Sequence, residues 1–555
     1  MDSKLVYGLL CLNRQRCAAL NAVVMSGMAW TVASGKIEWS RAVRPWPLVM
    51  FELAGLLAFL LVAVVFVLER PDADQNIPAL DGKTLAVGPG QERWTGIFFQ
   101  DQPVGFSVTR NSPVQDGGVL YEQRAAFQLM TFGKLQEVVT AGAALTDSAG
   151  GLVQFDFFMA SGDVHLVARG RVEEAADAGA VVVMEVEQAG ETSQLEFPVA
   201  RAPHVGLSLE SRIGQEELLV GRSFVVPYFD PVTLSEGQMT LNVVGIEVLD
   251  GGEEVFWLES EFAGVTTRTL VTPSGQMLKQ VGGTGLSMVR MSEEEVKALS
   301  NDVEPVDLIA MSAVPLQGAM PDSENLTRLV LRVHGDARDR VPHDPPYQII
   351  GTTDLGDEAL PTVTRVMPDI SQLPQLPRVD PETAQQPEAE WLQSTMTIPA
   401  AHPQIRTKAE ELVAGAPDRL TAARRILDFV FEYVEKVPTI GVPHGLEVLR
   451  RGQGDCNEHT ALFVSLARAA GIPARIAAGL VYSNRVSERG AFYYHAWPEV
   501  WLGRESEDWV AVDPTFGQFP ADASHIKLVE GDLERQVEIM GVMGRLGFVL
   551  VEAEQ

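Results

Sequence analysis

A cysteine, a histidine and an aspartate stand in that order in the C-terminal third of the chain. They are Cys456, His495 and Asp513, and Cys456 is the only cysteine after residue 17. A thiol, an imidazole and a carboxylate are the parts of an activated sulfur nucleophile: the imidazole takes the thiol proton and the carboxylate orients the imidazole. The three residues are therefore candidates for the nucleophile, the base and the orienting group of a thiol enzyme.

A capping pattern predicts that Cys456 is the first residue of a helix. Asp455 and Glu458 are three residues apart, as the N-cap and N3 residues of a capping box are. The apolar positions that follow continue to Ala470, and Gly471 ends the pattern. At the first helical position, the helix dipole and the free N–H groups favour a thiolate. The spacing thus predicts a reactive sulfur at a helix start.

Two predicted strands carry the other two residues. In residues 492–502, a period of two places His495 on the same face as Trp497 and Glu499. Residues 509–513 form the second strand and end at Asp513. A hairpin between these strands would bring His495 beside Asp513, and packing of the cysteine helix against the sheet would complete a triad. The backbone N–H of Cys456 is then a natural oxyanion donor, with Gln453 and the nearby tryptophans as candidates for a second one.

Further elements are predicted around this group. Residues 476–482 have the composition of a strand, and residues 445–451 that of a short helix. Asp418 is well placed to cap a helix whose apolar stripe includes Leu427 and Val430.

Each candidate residue also has a structural interpretation. A lone cysteine is commonly a small buried apolar residue, and an aspartate before proline is commonly a turn former. A zinc site built from Cys456, His459 and His495 is a second alternative. Structural zinc normally has four ligands and a paired cysteine motif, which this sequence lacks. No metal and no cofactor are expected.

Residues 48–68 are almost continuously apolar and predict a transmembrane helix. Their 21 residues are long enough to cross a hydrocarbon core of about 30 Å. Lys36, Arg41 and Arg44 precede the segment, whereas Asp72 and Asp74 follow it, so the positive-inside rule leaves the N-terminus in the cytoplasm. This predicts a single-pass inner-membrane protein whose C-terminal domains are extracytoplasmic, in the periplasm.

Composition narrows the class of partner. The 555 residues carry a formal charge of -31, and nucleic acid is excluded as a partner because phosphate binding needs clustered Lys and Arg. With 46% hydrophobic residues, most of the chain can bury cores. The exported part keeps a single cysteine, which is a liability in an oxidising compartment unless it is buried or used.

The predicted fold class is α+β, with a large antiparallel β domain preceding a smaller catalytic domain. Alternating residues separated by Gly-Gly, Asp-Gly and Ser-Gly turns indicate the β domain, and a Pro-rich stretch indicates a linker. The predicted divisions are a cytoplasmic segment 1–47, a transmembrane helix 48–68, a linker 69–92, a β domain 93–300, an additional β region 301–366, a Pro-rich linker 367–390, a catalytic domain 391–530 and a C-terminal tail 531–555.

At these motifs the chain resembles the transglutaminase-like domain, over about residues 390–530. The motifs are Gly454-Asp455-Cys456-x-Glu458-His459, Ala470-Gly471-Ile472-Pro473-Ala474-Arg475, His495-Ala496-Trp497 and Val512-Asp513-Pro514-Thr515. The resemblance, to a bacterial membrane-anchored type, implies a papain-like fold with Cys456 as nucleophile, His495 as base and Asp513 as its orienting group. That family includes transamidases, cysteine proteases, peptide-deglycosylating enzymes and inactive relatives. Calcium dependence does not follow, because the acidic metal sites of animal transglutaminases have no counterpart that can be placed here.

The sequence therefore predicts a membrane-anchored thiol enzyme that acts on peptide or protein amide bonds in the cell envelope. Transfer of the acyl group to water or to an amine decides between hydrolase and transamidase, and the sequence leaves this open, as it does the oligomeric state. The alternative is a catalytically silent binding or assembly module, which the large β region keeps open.

Overall fold

The computed structural model describes most of the chain from Gly90 to the C-terminus. The described residues are 80, 85–87 and 90–555, without 100, 132–133, 163, 175–178, 189, 231–234, 263–264, 283–284, 300–305, 308–312, 322–324, 354–359, 383, 386, 486–489, 504–507, 537, 540–541 and 543. The predicted transmembrane helix at 48–68 and the cytoplasmic segment before it lie outside these residues. Within the described part of the chain, no helix has both the length and the apolar character needed to cross a bilayer.

The N-terminal half forms one large antiparallel sheet, as the alternating pattern predicts. Its strands are β1 Gln91–Phe99, β2 Gln102–Pro113, β3 Val119–Thr131, β4 Lys134–Thr146, β5 Leu152–Ser161, β6 Val164–Glu174, β7 Ala180–Gln188, β8 Glu191–Val199, β9 Ser223–Asp230, β10 Ser235–Val248, β11 Glu254–Phe262, β12 Val265–Val271, β13 Met277–Gly282 and β14 Leu286–Met291. The order is β8 through β1, followed by β14 through β9, so β1 pairs with β14. Two short helices, α1 Leu209–Ile213 and α2 Glu293–Leu299, complete this part. Neighbouring strands are therefore nearly always neighbours in sequence.

The C-terminal half is a second sheet with helices packed on it. β15 Val306–Asp307 comes first along the chain and pairs in parallel with β3 of the first sheet. The other elements of this half are β16 Val314–Gln317, β17 Arg328–His334, β18 Gln348–Thr353, β19 Leu360–Val366, α3 Pro403–Val413, α4 Arg419–Tyr433, β20 Glu435–Lys436, α5 Gly445–Arg451, β21 Gln453–Gly454, α6 Cys456–Ala469, β22 Ala474–Ser483, β23 Ala491–Trp501, β24 Trp509–Ala511, β25 His525–Glu530, α7 Leu533–Gln536 and β26 Gly547–Glu554. β20 and β21 form a separate two-stranded sheet. Along the sheet the order is β18, β19, β17, β26, β16, β23, β22 and β25, and β24 pairs with β23.

The last residues of the chain, expected to form a tail, contain a central strand of this sheet. β26 lies between β17 and β16, and its Phe548 is fully buried. The alternation of Gly547–Glu554 is partly masked by two acidic residues near its end, Glu552 and Glu554, and its partners are more than 200 residues away. Short-range patterns in the sequence cannot reveal such a pairing.

The β domain holds a loop of the C-terminal half, residues 437–444, between β20 and α5. Val442 is buried in the core formed by β4–β7, and Ile440 packs against it. From the β domain, the Gln188 side chain donates a hydrogen bond to the carbonyl of Val442 at 2.5 Å, and Gln136 donates one to the carbonyl of Pro438 at 3.1 Å. This loop is therefore fixed at both ends by the β domain.

Candidate active site

Helix α6 begins at Cys456, as its capping pattern predicts. The Asp455 carboxylate accepts a hydrogen bond from Asn457 N at 2.9 Å, and Asp455 N donates one to the Glu458 carboxylate at 2.9 Å. These two bonds satisfy N–H groups that would otherwise lack a partner at the helix start. Glycine is required at 454, since a Cβ there would lie 2.2 Å from the Glu458 Cβ. The Gly-Asp-Cys motif thus fixes the position of the sulfur.

The body of α6 is buried on nearly every side, which aligns it rigidly with the sheet. Its apolar residues, such as Phe463 and Leu466, belong to a core shared with α3, α4 and α5. The Thr460 hydroxyl donates a hydrogen bond to the Ala496 carbonyl of β23 at 3.1 Å. The start of the helix therefore lies against the strand that carries His495.

His495 and Asp513 are brought together, as the predicted hairpin requires. His495 Nε2 lies 2.8 Å from Asp513 Oδ2, and both side chains are buried. The other carboxylate oxygen, Oδ1, accepts hydrogen bonds from Thr515 N at 2.7 Å and Phe516 N at 3.0 Å. Charged hydrogen bonds hold the pKa of Asp513 far below its usual range, although burial alone would raise it; the strongest opposing effect comes from His495. Asp513 is thus a fixed carboxylate that orients the imidazole through Nε2.

Aromatic rings fix the plane of the His495 imidazole. The Phe516 ring stacks on it with centroids 4.8 Å apart and an interplanar angle of 7°, and Trp497 lies 6.1 Å away at 25°. With Nε2 bonded to Asp513, ring geometry leaves Nδ1 as the nitrogen available to another group.

The sulfur of Cys456 lies against the backbone beside His495. The Ala496 backbone hydrogen-bonds the thiol, and the side chain is partly exposed. Burial raises the pKa of the Cys456 thiol well above its usual value, and the charge of Asp455 adds to this effect. The helix start was expected to favour the thiolate. Instead, burial of the sulfur, together with the two carboxyl groups that cap the helix, outweighs the helix dipole, so forming the thiolate requires a base.

Two residues of this group were not predicted from the sequence, His525 and Asp522. His525 Nε2 lies 3.1 Å from Asp513 Oδ2, and its Nδ1 lies 3.3 Å from Asp522 Oδ1. Both residues lie in the run Asp522-Ala523-Ser524-His525, which combines a carboxylate and an imidazole three residues apart. That spacing is the only feature of the sequence that could have identified Asp522 and His525, and it does not indicate that they lie beside Asp513.

His495, Asp513 and His525 have potential ligand atoms within 4.8 Å of one another. Their geometry is that of a hydrogen-bonded chain, because Asp513 Oδ2 accepts directly from both imidazoles at 2.8 and 3.1 Å. A shared zinc ion would need each ligand atom about 2.0–2.2 Å from a common point, with the nitrogen lone pairs aimed at it. Nitrogen atoms that donate to a carboxylate cannot also ligate a metal.

His459, the other residue weighed as a zinc ligand, is fully buried in α6. Its Nδ1 lies 2.6 Å from the Asp455 carbonyl, and burial lowers the pKa of the imidazole. Its Nε2 has no hydrogen-bond partner among the described residues. The neutral His459 ring thus donates a hydrogen bond to the carbonyl of Asp455 and supports the backbone just before Cys456.

Neither side chain considered as a second oxyanion donor points clearly to that role. Gln453 is exposed and donates to Glu435 at 3.0 Å. Trp497 is fully buried, and its Nε1 has no partner in the described part of the chain. The backbone N–H of Cys456 remains the donor that the helix start supplies.

The face of β23 that carries His495 also carries a buried ion network. Glu499 contacts Arg475 at 2.7 Å and Lys527 at 3.0 Å, and Arg475 stacks over the Trp509 ring at 4.2 Å. Despite burial, the charges of Lys527 and Arg475 lower the pKa of Glu499 to about 2. These contacts fix the strands on which His495 and Asp513 lie.

The class of protein to which this domain belongs follows from comparison with known families. Residues 406–514 match the family model of the transglutaminase-like superfamily, which confirms the resemblance: the chain contains a transglutaminase-like domain. A protein-glutamine gamma-glutamyltransferase of Pseudomonas aeruginosa is 30% identical over 173 residues, which are 29% of this chain and 25% of that protein. The match thus spans a quarter of the length of this relative.

Two solved structures also show local similarity. One is a proposed cysteine protease from Cytophaga hutchinsonii, with 13% identity over 44% of this chain and 84% of that one, at a TM-score of 0.26. The other is the periplasmic domain of TgpA from Pseudomonas aeruginosa, with 18% identity over 39% of this chain and 95% of that one, at a TM-score of 0.24.

Proposed function

We propose that the protein is a thiol enzyme that acts on amide bonds of peptides or proteins, with Cys456 as nucleophile, His495 as base and Asp513 as the orienting group. The observation that carries the proposal is the buried 2.8 Å contact between His495 and Asp513, together with the hydrogen bond between the Cys456 thiol and the backbone of Ala496, the residue after His495. The transglutaminase-like domain at residues 406–514 supports the same assignment.

The raised thiol pKa gives the base a specific task. His495 accepts the Sγ proton at Nδ1, and Asp513 stabilises the imidazolium that results. The thiolate attacks the amide carbonyl, and the backbone N–H of Cys456 stabilises the oxyanion. The C–N bond then breaks, and the amine leaves with the proton from His495. This leaves a thioester on Cys456, which is cleaved by water in a hydrolase or by a second amine in a transamidase.

Trapping of the thioester tests the proposal. The full chain is incubated with a pool of glutamine-containing and other peptides, denatured in acid, and its Cys456 peptide is measured by mass spectrometry. We expect an acyl adduct that hydroxylamine removes, and that is absent in Cys456→Ala. Turnover by Cys456→Ala at the wild-type rate would overturn the assignment.

A catalytically silent binding or assembly module is the second candidate, and the large sheet of the β domain favours it as a binding surface. Complementation separates the two. If a Cys456→Ala protein restores a deletion strain fully, the module is supported; if only the wild type does, the enzyme is.

The apolar segment at residues 48–68 and the basic residues before it support a membrane anchor with the remaining chain outside the cytoplasm. Reporter fusions after residue 80 should be active only in the extracytoplasmic compartment. An active cytoplasmic reporter at that point would overturn this topology.

A further inference from the structure

We propose that His525 is a positioning residue of the same site: as an imidazolium held between Asp513 and Asp522, it fixes Asp513 without consuming the negative charge that His495 needs. The inference rests on the proposed function, because it concerns the residue that orients the base. It extends the pair His495–Asp513 to a chain of four groups, His495, Asp513, His525 and Asp522.

The hydrogen-bond partners of His525 determine its protonation. Nε2 faces Asp513 Oδ2 at 3.1 Å, and Nδ1 faces two oxygens of Asp522, the carbonyl at 3.2 Å and Oδ1 at 3.3 Å. All of these atoms are acceptors, so both ring nitrogens must donate, and an imidazole that donates twice is positively charged. His525 is fully buried, so bulk solvent cannot replace these acceptors as a hydrogen-bond partner.

The charges balance in a way that matters for the reaction. Hydrogen bonds to Asp513 and Asp522 raise the pKa of His525 to about 9, although burial alone would lower it. Its positive charge is matched by Asp522, whose own pKa is lowered mainly by His525 against the effect of burial. One negative charge therefore remains on Asp513 for the imidazolium of His495. Without Asp522, His525 would neutralise Asp513 itself.

Three further ionisable groups act on this chain: the charge of Arg365 interacts with Asp522, and Cys456 and His459 interact with Asp513. Gln518 and Ser524 donate neutral hydrogen bonds to Asp522. Around the His525 ring lie His495, at 5.7 Å between centroids, and two aromatic rings, Trp497 at 5.1 Å and 81° and Phe516 at 6.3 Å and 64°. Arg365 is thus the nearby cation that a substitution at 522 also affects.

Two variants with opposite charge effects test the proposal. The readout is the pH midpoint at which iodoacetamide alkylates Cys456 in the full chain, followed on the Cys456 peptide by mass spectrometry. His525→Gln keeps a donor for Asp513 and removes a positive charge, so the midpoint should rise by about one pH unit. Asp522→Asn removes a negative charge, so the midpoint should fall by about as much. The controls are His343→Gln and Asp428→Asn, at exposed positions, which should leave the midpoint unchanged.

A merely structural role for His525 predicts a different result. Loss of packing would shift both midpoints in the same direction or neither, and either outcome would overturn the proposal. If a variant fails to fold, the wild type still decides, because ¹⁵N-histidine-labelled protein near pH 7 should show two ring N–H signals for His525. A single ring N–H would mean a neutral ring and would also overturn the proposal.

Alkylation reports the thiol itself and needs no substrate. A failure to find any amide substrate would therefore count against the proposed function and leave this test of His525 intact.

Discussion

The Thr439 hydroxyl donates a 2.7 Å hydrogen bond to the Glu458 carboxylate. Thr439 lies in the loop 437–444, whose Ile440 and Val442 are packed into the β domain, whereas Glu458 closes the capping box of α6. The two residues therefore connect the β domain to the helix that begins with Cys456. We infer that the β domain helps to hold the sulfur in place.

Removal of this hydroxyl should loosen the helix start. In Thr439→Val, the buried Glu458 carboxylate loses one donor, and we expect the free energy of unfolding to fall by about 1–3 kcal/mol, together with slower alkylation of Cys456. Urea denaturation and mass spectrometry measure the two effects. Thr439→Ser keeps the donor and is the control. A loss in Thr439→Ser without a loss in Thr439→Val would show that the methyl group, rather than the hydrogen bond, is important.

Asp513→Asn should impair turnover much more than substrate binding. An asparagine at 513 has nearly the same shape, but its amide can donate a hydrogen bond to His495 Nε2. The imidazole would then carry its proton on Nδ1, the nitrogen that has to accept the thiol proton. In a well-studied serine protease, the equivalent change lowers kcat about 10⁴-fold. We expect a loss of several orders of magnitude in kcat with a small change in KM, once a substrate is in hand. A loss confined to KM would contradict the role assigned to Asp513.

The buried ion network of β23 should be important for folding. Glu499→Gln removes one of the two carboxylates that Lys527 and Arg475 share, while Glu530 remains at 3.1 and 2.8 Å. The loss should therefore lie toward the lower end of the about 3–5 kcal/mol that breaking a buried pair from one side costs. Chemical denaturation should show a loss of this order. The exposed pair Arg268–Glu259 provides the control, since Glu259→Gln should cost less than about 1 kcal/mol. A similar small loss in both variants would contradict this prediction.

Stability should depend on His525 at alkaline pH. Its pKa is about 9 in the folded protein, against about 6.5 in an unfolded chain, so the folded state binds the proton more tightly. A raised pKa gives stability that is fully present below about pH 6.5 and lost as pH rises through about 9, and the total is on the order of 3 kcal/mol. Thermal unfolding between pH 6 and 10 measures this slope. His525→Gln should flatten it, and an unchanged slope would show that another group is responsible.

Local patterns in the sequence predicted the elements of the site well. The Asp455/Glu458 capping box predicted a helix that begins at Cys456, and the structure has that helix start. Asp418 caps α4 through Thr421 N, and α5 spans Gly445–Arg451 as predicted. Period two along β23 also placed His495 and Glu499 on one face. Such features depend on residues three or four positions apart, and a single sequence contains that information directly.

Contacts between distant segments were decided only by the tertiary structure. His525 reaches Asp513 because β25 pairs with β22, on the far side of β22 from β23, and β26 enters the sheet beside β17. The thiol pKa also rises, mainly because folding buries the sulfur and further because three carboxyl groups converge on one helix start, one of them from another element. The sequence determined which residues could do chemistry and which local elements carry them. Their charge environment depends on burial and on neighbours brought together by folding, and no spacing along the chain specifies those.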